Sequence, residues 1–191
     1  MTTYTDEQVR ARARRRTTYA TAASVLTESV KSYSRTATYD VFLCHSVRDA
    51  EIVLGVKLFL EDHLKSVYVD WIEDPLLDRS RVTARTAEAI RGRMRQSRSL
   101  IYIHTANSPQ SKWMPWELGF SDGIHGAVAI LPITNSAEST FNGQEYLGIY
   151  PWIDQATSLA GLPELRVHGD RYTTRDWRGW IADPRSLVAT L

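Results

Sequence analysis

From Tyr39 onward the chain alternates short apolar runs with longer stretches of helical periodicity, and this alternation limits the possible folds more than any other feature. YDVFLC (39–44) is apolar and β-rich and reads as a buried strand. HSVRD follows as a turn. Asp49 is then placed to cap a helix whose apolar face carries Ile52, Val53, Val56, Phe59, Leu60 and Leu64. SVYVDW (66–71) is a second strand, EDPLLDRSR a loop containing Pro75, and 82–96 a basic helix with Ala84, Ala87, Ile90 and Met94 inward. SLIYIHT (99–105) is a third strand, SKWMPWELGFSDGI a helix and GAVAILPI (126–133) a fourth strand. Strands that alternate with helices predict a parallel sheet covered on both faces, a three-layer α/β sandwich. After Pro132 the pattern is irregular. YLGIYPWID supplies a last short strand, and TRDWRGWIAD (174–183) a closing helix with Trp177, Trp180 and Ile181 inward.

The first 35 residues differ in character. They hold seven Lys or Arg against three Asp or Glu, whereas the remainder carries sixteen against nineteen. The segment from Thr5 to Tyr33 predicts a basic helix capped by Thr5 or Asp6, with Val9, Ala13, Tyr19, Val25 and Val30 only weakly periodic. The division expected is therefore a basic N-terminal helical extension over 1–37 and an α/β domain over 38–191. The Arg10–Arg16 cluster offers charge to nucleic acid or an acidic surface, but a solvated appendage helix or flexible arm is the simpler reading. With a net charge of +1 over 191 residues, nothing else favours a polyanion partner. The single Cys44 excludes an intramolecular disulfide framework and a Cys-rich zinc site, and His45, His104 and His125 lack metal-ligand spacing. No apolar run nears the length of a membrane span and no secretory signal is present, so a soluble cytoplasmic protein is expected.

In an open parallel sheet, ligands bind beyond the carboxyl ends of the strands, near a reversal of strand order. The relevant tips are Cys44-His45-Ser46, Asp70-Trp71 and His104-Thr105-Ala106-Asn107. In the following helix Trp113, Trp116, Phe120 and Ile124 form an apolar stripe, and Glu117 shares that face. A structural helix would place Leu or Ala there. Either Glu117 pairs with an Arg or a backbone group, or it stabilises developing positive charge in a dry cleft.

YDVFLCHSVRD, VYVDW and LIYIHTANSPQSKWMPWELG together resemble the three sequence boxes of Toll/interleukin-1 receptor (TIR) domains, bacterial ones above all, over roughly 39–135. The resemblance implies a flavodoxin-like fold and one of two activities. Many members cleave the nicotinamide–ribose bond of NAD+, and others are scaffolds that self-associate. In the enzymes the glutamate of W-x-x-x-E is catalytic, which falls here on Glu117, four residues after Trp113. Loss of nicotinamide leaves an oxocarbenium-like ribosyl cation, as in glycoside hydrolysis, and one carboxylate suffices because the pyridinium departs neutral without a general acid.

The resemblance also nominates binding residues. The loop after the first strand implies contacts from His45, Ser46 and Arg48, with Arg48 suited to bidentate phosphate binding. The gating loop at 71–81 offers Trp71, Asp74, Asp78 and Arg79, and Val82 opens the next helix. Trp71 and Trp116 are candidates for stacking on nicotinamide or adenine, although packing suits Trp116 better, and Trp113 sets the helix angle from the core. Cys44 stands where the first box more often has serine. Beside His45 it suggests a thiol nucleophile, but adjacent strand residues face opposite ways, so a buried inert thiol is expected. Pro115 fits only if the helix begins near Lys112–Met114.

The leading expectation is an NAD+ glycohydrolase or ADP-ribosyl cyclase in bacterial anti-phage defence. NAD+ is then the substrate, with no cofactor or metal, and the expected partners are other copies of the chain and a separate effector or activator. A noncatalytic TIR scaffold and a nucleoside deoxyribosyltransferase-like enzyme are the alternatives, the latter disfavoured by the W-x-x-x-E element and the first box.

Overall fold

A computed structural model describes residues 3–18, 20–31, 36–63, 65–71, 83–136, 145–157, 163–170 and 172–187. In chain order the elements are β1 (Tyr4–Thr5), α1 (Asp6–Arg14), α2 (Ala22–Lys31), β2 (Val41–Cys44), α3 (Ala50–Asp62) and β3 (Val67–Val69). Then come α4 (Ala84–Arg95), β4 (Leu100–His104), α5 (Met114–His125) and β5 (Val128–Thr134). The chain closes with β6 (Trp152–Thr157), β7 (Pro163–His168), β8 (Thr174–Asp176) and α6 (Trp177–Ala182). Short 3₁₀ turns occupy Ser108–Gln110, Glu145–Ile149 and Pro184–Leu187.

The sheet runs β3-β2-β4-β5-β6-β7-β8, with β1 also paired to β5. Strands β2 to β6 and β1 are parallel, whereas β7 and β8 join as antiparallel additions. The parallel core thus has the 2-1-3-4-5 order of the flavodoxin-like fold, and its order reverses between β2 and β4. Strand alternation sorts the core into two layers. Val41, Leu43, Val69, Ile101, Ile103 and Leu131 face α1, α2, α3 and α6. Phe42, Cys44, Tyr68, Tyr102, Val128 and Ile130 face α4 and α5. The four strands and three helices expected between 39 and 133 are present, with edges shifted by one to three residues. The last short strand is β6, and Trp177 and Trp180 of the closing helix are buried.

Three expectations need correction. The N-terminal segment is neither a solvated appendage nor a flexible arm. Its first strand pairs in parallel with the C-terminal end of β5, Tyr4 with Ile133 and Thr5 with Thr134, and two helices follow where one was expected. Val9, Ala13 and Leu26 are buried in the core, and Arg10 and Arg12 pair with Glu51 and Asp62 of α3. The weak periodicity has a cause in this geometry. Helix α1 crosses α3 so closely that a Cβ on Gly55 would lie 2.1 Å from the Val9 carbonyl oxygen, so backbone contact replaces large side chains. The cap of α1 does follow the sequence: Thr5 and Gln8 exchange hydrogen bonds as a capping box.

The second correction concerns Asp49, which makes no side-chain cap bond to α3 and reaches across to the loop after β4. The third is the antiparallel pair β7–β8, where no strand was expected. The alternation was present but short: β7 buries Leu165 and Val167 between half-buried Glu164, Arg166 and His168, while β8 is exposed throughout and has no apolar face to read. No helix among the described residues is long and apolar enough to cross a membrane.

Candidate functional site

Helix α5 begins at Met114, which puts Pro115 in the first turn, where its missing N–H costs nothing. The first helical bond runs from the Glu117 N–H to the Trp113 carbonyl, at 2.9 Å. Glu117 therefore lies in the positive end of the helix dipole, which favours a carboxylate. Gly126, at φ 67°, ends the helix in a conformation open to glycine and strained for other residues.

Glu117 is fully buried (0% exposed), with Met114, Leu118 and Ser121 on the same inward row. The tryptophan stripe runs beside this row rather than through it. Trp113, Trp116 and Phe120 are half-buried and Ile124 is exposed. Trp116 packs edge-on to Trp113 at 5.5 Å, stacks on Phe120 at 5.9 Å and lies under the Arg91 guanidinium of α4. The aromatic row thus joins α5 to α4, and Glu117 takes an interior position that an apolar residue would ordinarily hold.

The sheet meets this helix end at its switch point. Cys44, the last residue of β2, directs its thiol to the Met114 carbonyl at 3.7 Å. It is buried and free of any disulfide, as expected of an inert thiol. Tyr102 of β4 is in register with Cys44 and shares its face. Burial raises the Tyr102 pKa well above the ordinary phenol range, and the nearby Cys44, Tyr146 and Glu117 push it the same way. Its hydroxyl therefore keeps its proton.

The loop after β2 is tied to the loop after β4. Asp49 accepts hydrogen bonds from Thr105 Oγ1 and Asn107 Nδ2, each at 2.6 Å. Ser108 Oγ accepts from the Thr105 N–H and donates to the Ile103 carbonyl. Arg48 bonds Gln110. These bonds set the path of the chain into α5 and hence the position of Glu117. Ser46 is buried and accepts from the Arg48 N–H. His45 is buried too, its Nδ1–H donating to the Leu43 carbonyl at 2.7 Å, and its ring stacks on Trp71 at 5.5 Å. Trp71 is 4% exposed, so it backs the loop from inside instead of presenting a face to solvent. Asp74, Asp78, Arg79 and Val82 lie outside the described residues.

The structure therefore brings together His45, Ser46, Arg48, Trp71, Trp113, Trp116 and Glu117 around one end of the sheet. It adds Tyr102, which the sequence did not single out, and ties Asp49, read there as a helix cap, to Thr105 and Asn107 of the expected strand tip. Alternation along β4 was enough to put Tyr102 on the Cys44 face. No spacing signal connects Asp49 to the loop after β4, since its bonds to Thr105 and Asn107 span 56 and 58 positions and arise only on folding.

No family model matches the chain. Among curated proteins it is 43% identical over 162 residues to one from Bacillus cereus (strain MSX-D12) named probable 3′ cyclic ADP-D-ribose synthase ThsB′, the match covering 84% of each chain. It is 29% identical over 105 residues to the putative cyclic ADP-D-ribose synthase TIR2 of Cytobacillus dafuensis, covering 54% of this chain and 28% of that protein.

Proposed function

The chain belongs to the bacterial TIR family, and from that premise we propose that it cleaves the nicotinamide–ribose bond of NAD+ and closes the ADP-ribosyl group into a cyclic product. Glu117 is the catalytic residue of this reading. The observation that carries it is a wholly buried carboxylate in the first turn of a helix, at the carboxyl-end switch point of a parallel sheet. In a dry site of this kind a fixed negative charge acts on the ribosyl cation with little screening. The C1′–N bond breaks with its electron pair going to nicotinamide, which leaves neutral. An atom of the same molecule then bonds to C1′ and gives up its proton, or water does so and yields ADP-ribose.

Surrounding residues take supporting roles. Asp49, with Thr105 and Asn107, holds the two loops that frame the carboxylate. Arg48 and Ser46, at the mouth of the β2 loop, suit the phosphates, and Trp71 with His45 forms the wall behind them. Glycohydrolase activity, giving linear ADP-ribose, is the side reaction of the same cation. The reading extends to like-with-like assembly, and to a cyclic product passed to a separate effector in defence against phage.

Mass-spectrometric analysis of NAD+ incubated with wild type and Glu117→Gln tests it. Wild type is expected to release nicotinamide with a cyclic ADP-ribose. Glu117→Gln, whose amide keeps the shape and removes the charge, is expected to lose about 10²–10³-fold in turnover while melting no lower than wild type. Equal turnover by both proteins would sink the assignment of Glu117.

A further inference from the structure

Helix α5 packs across β2, β4 and β5, with β4 between the other two. One row of the sheet faces it there: Cys44, Tyr102 and Ile130 are in register on these strands and share the α5 face. The Cys44 thiol meets the Met114 carbonyl at 3.7 Å, which puts the first turn of the helix at the level of this row. Glu117 follows Met114 by three residues on the same inward row. Its Cα lies about 4.5 Å farther along the axis. Helical side chains lean back toward the N-terminus, so the carboxylate returns to the level of Cys44 and Tyr102. A strand tyrosine stands roughly perpendicular to its sheet. The Tyr102 ring is packed in the same buried cluster as Met114 and Leu118, which flank Glu117 on its row.

Tyr102 is 0% exposed, and among the described residues its hydroxyl has no hydrogen-bond partner. A buried hydroxyl left unpaired costs stability, and Phe would fill the same space without that cost. Packing therefore accounts for the ring and not for the oxygen. Ser121, one turn after Glu117 on the same row, is also buried with an unpartnered Oγ. The two hydroxyls differ in place. Tyr102 rises from the sheet at the level of the first turn, whereas Ser121 lies about 6 Å beyond Glu117 along the helix. A ribose hydroxyl fits the first place. An ionised carboxylate only accepts hydrogen bonds, and a phenol has a proton to donate. Burial holds the Tyr102 pKa above the ordinary phenol value, so that proton stays. A ribose hydroxyl between them donates to the carboxylate and accepts from the phenol, which satisfies all three groups.

Resting on the NAD+-cleaving reading above, we propose that Tyr102 is a further substrate-binding residue, whose hydroxyl, unpaired in the free protein, holds a hydroxyl of the nicotinamide-side ribose against Glu117. The bond arrives with the substrate, so it adds nothing to folding and something to turnover. It also fixes the ribosyl ring with C1′ toward the carboxylate as the C1′–N bond breaks. The electron pair still goes to nicotinamide, and no proton passes through Tyr102.

The experiment measures nicotinamide release against NAD+ concentration, with a thermal melt, for wild type, Tyr102→Phe and Ser121→Ala, and Glu117→Gln as the inactive control. Tyr102→Phe is expected to lower kcat/KM about tenfold, which corresponds to about 1.4 kcal/mol, while melting at or above the wild-type temperature. Activity lost at undiminished stability marks a group placed for a ligand, since a structural hydroxyl would lose both. Ser121→Ala is expected to melt no lower than wild type and to turn over as wild type does. Unchanged kcat/KM in Tyr102→Phe overturns the proposal. A lower melting temperature or a failure to fold overturns it as well, because the hydroxyl then has a structural partner. An equal loss in Ser121→Ala also overturns it, since any change beneath α5 would then disturb Glu117. Wild type that releases nicotinamide keeps the NAD+ reading whatever Tyr102→Phe does. Wild type that releases none removes that reading and the role of Tyr102 with it.

Discussion

The two faces of the central sheet are built from different materials. The face toward α1, α2, α3 and α6 is mainly aliphatic, with Val41, Leu43, Val69, Ile101, Ile103 and Leu131 from the strands and Leu26, Val53 and Leu60 from the helices, and its aromatic members Phe59, Trp71, Trp177 and Trp180 outside the strands. The face toward α4 and α5 is aromatic and carries heteroatoms, with Tyr68, Tyr102, Cys44, Met114 and Glu117 among its buried members. Both faces exclude water, but the first offers only the indole N–H groups of Trp71, Trp177 and Trp180 as buried polar members of its cluster, whereas the second carries hydroxyls, a thiol and a carboxylate. Aliphatic packing is non-directional and supplies stability in proportion to the area it buries. Buried polar groups act only through geometry and are costly when that geometry fails. One face should therefore govern folding and the other chemistry.

The largest effect expected from breaking this division comes from Leu26, fully buried on α2 and far along the chain from the candidate site. Leu26→Ala should cost about 2–5 kcal/mol in urea denaturation and leave turnover per folded molecule unchanged. A large fall in turnover at wild-type stability would show that the aliphatic face is not merely structural. A smaller loss is expected at the crossing of α1 and α3. Gly55→Ala forces a methyl against the backbone carbonyl of Val9, which cannot swing away as a side chain would. About 1–3 kcal/mol of destabilisation should follow, again without change in the product formed. Stability equal to wild type would mean that α1 is not held against α3 as closely as described.

The smallest effect is one of pH, and it sharpens the contrast from the polar side. Burial lowers the pKa of His104, on the aromatic face of β4 by alternation, and of His125 at the end of α5, where Asp122 partly opposes the shift. Each therefore binds a proton more weakly when folded than when unfolded. Stability should be level at high pH and should fall as pH drops through 6.5, the ordinary histidine value, toward the lower folded values. Urea midpoints at about pH 7.5 and pH 5.5 test the sign. His125→Asn, whose side-chain oxygen can accept from the Ala127 N–H as His125 Nδ1 does, should flatten the slope. A midpoint that rises on acidification would contradict the burial of these imidazoles.

Much of this arrangement was legible beforehand, for reasons that differ between residues. The strands at 41–44 and 100–104 announce themselves through continuous apolar character, because a parallel strand covered on both faces has no polar side. Glu117 stood out because a carboxylate at an apolar spacing contradicts its neighbours. Its row was misjudged by one position, since Trp113 and Trp116 are wide enough to look like core while packing at the helix flank. Asp49 looked like a helix cap because that is its commonest use at such a position. Two donors on another loop compete successfully for it, and no local rule registers them.

The sequence by itself determined the order of strands and helices from β2 to β5, the start of α5 at a tolerable proline, the burial of Cys44 and the singular position of Glu117. Each rests on local geometry, the periods of 2 and 3.6 residues and the constraints on one backbone torsion, which neighbours in the chain suffice to express. Tertiary structure alone decided that the basic N-terminal segment joins the core, that Asp49 ties two loops together, and that Tyr150 returns from the C-terminal region to bond Asp122 of α5. Those contacts join positions tens of residues apart. What selects them is the exclusion of water from a shared interior, a property of the assembled surfaces that no single segment carries.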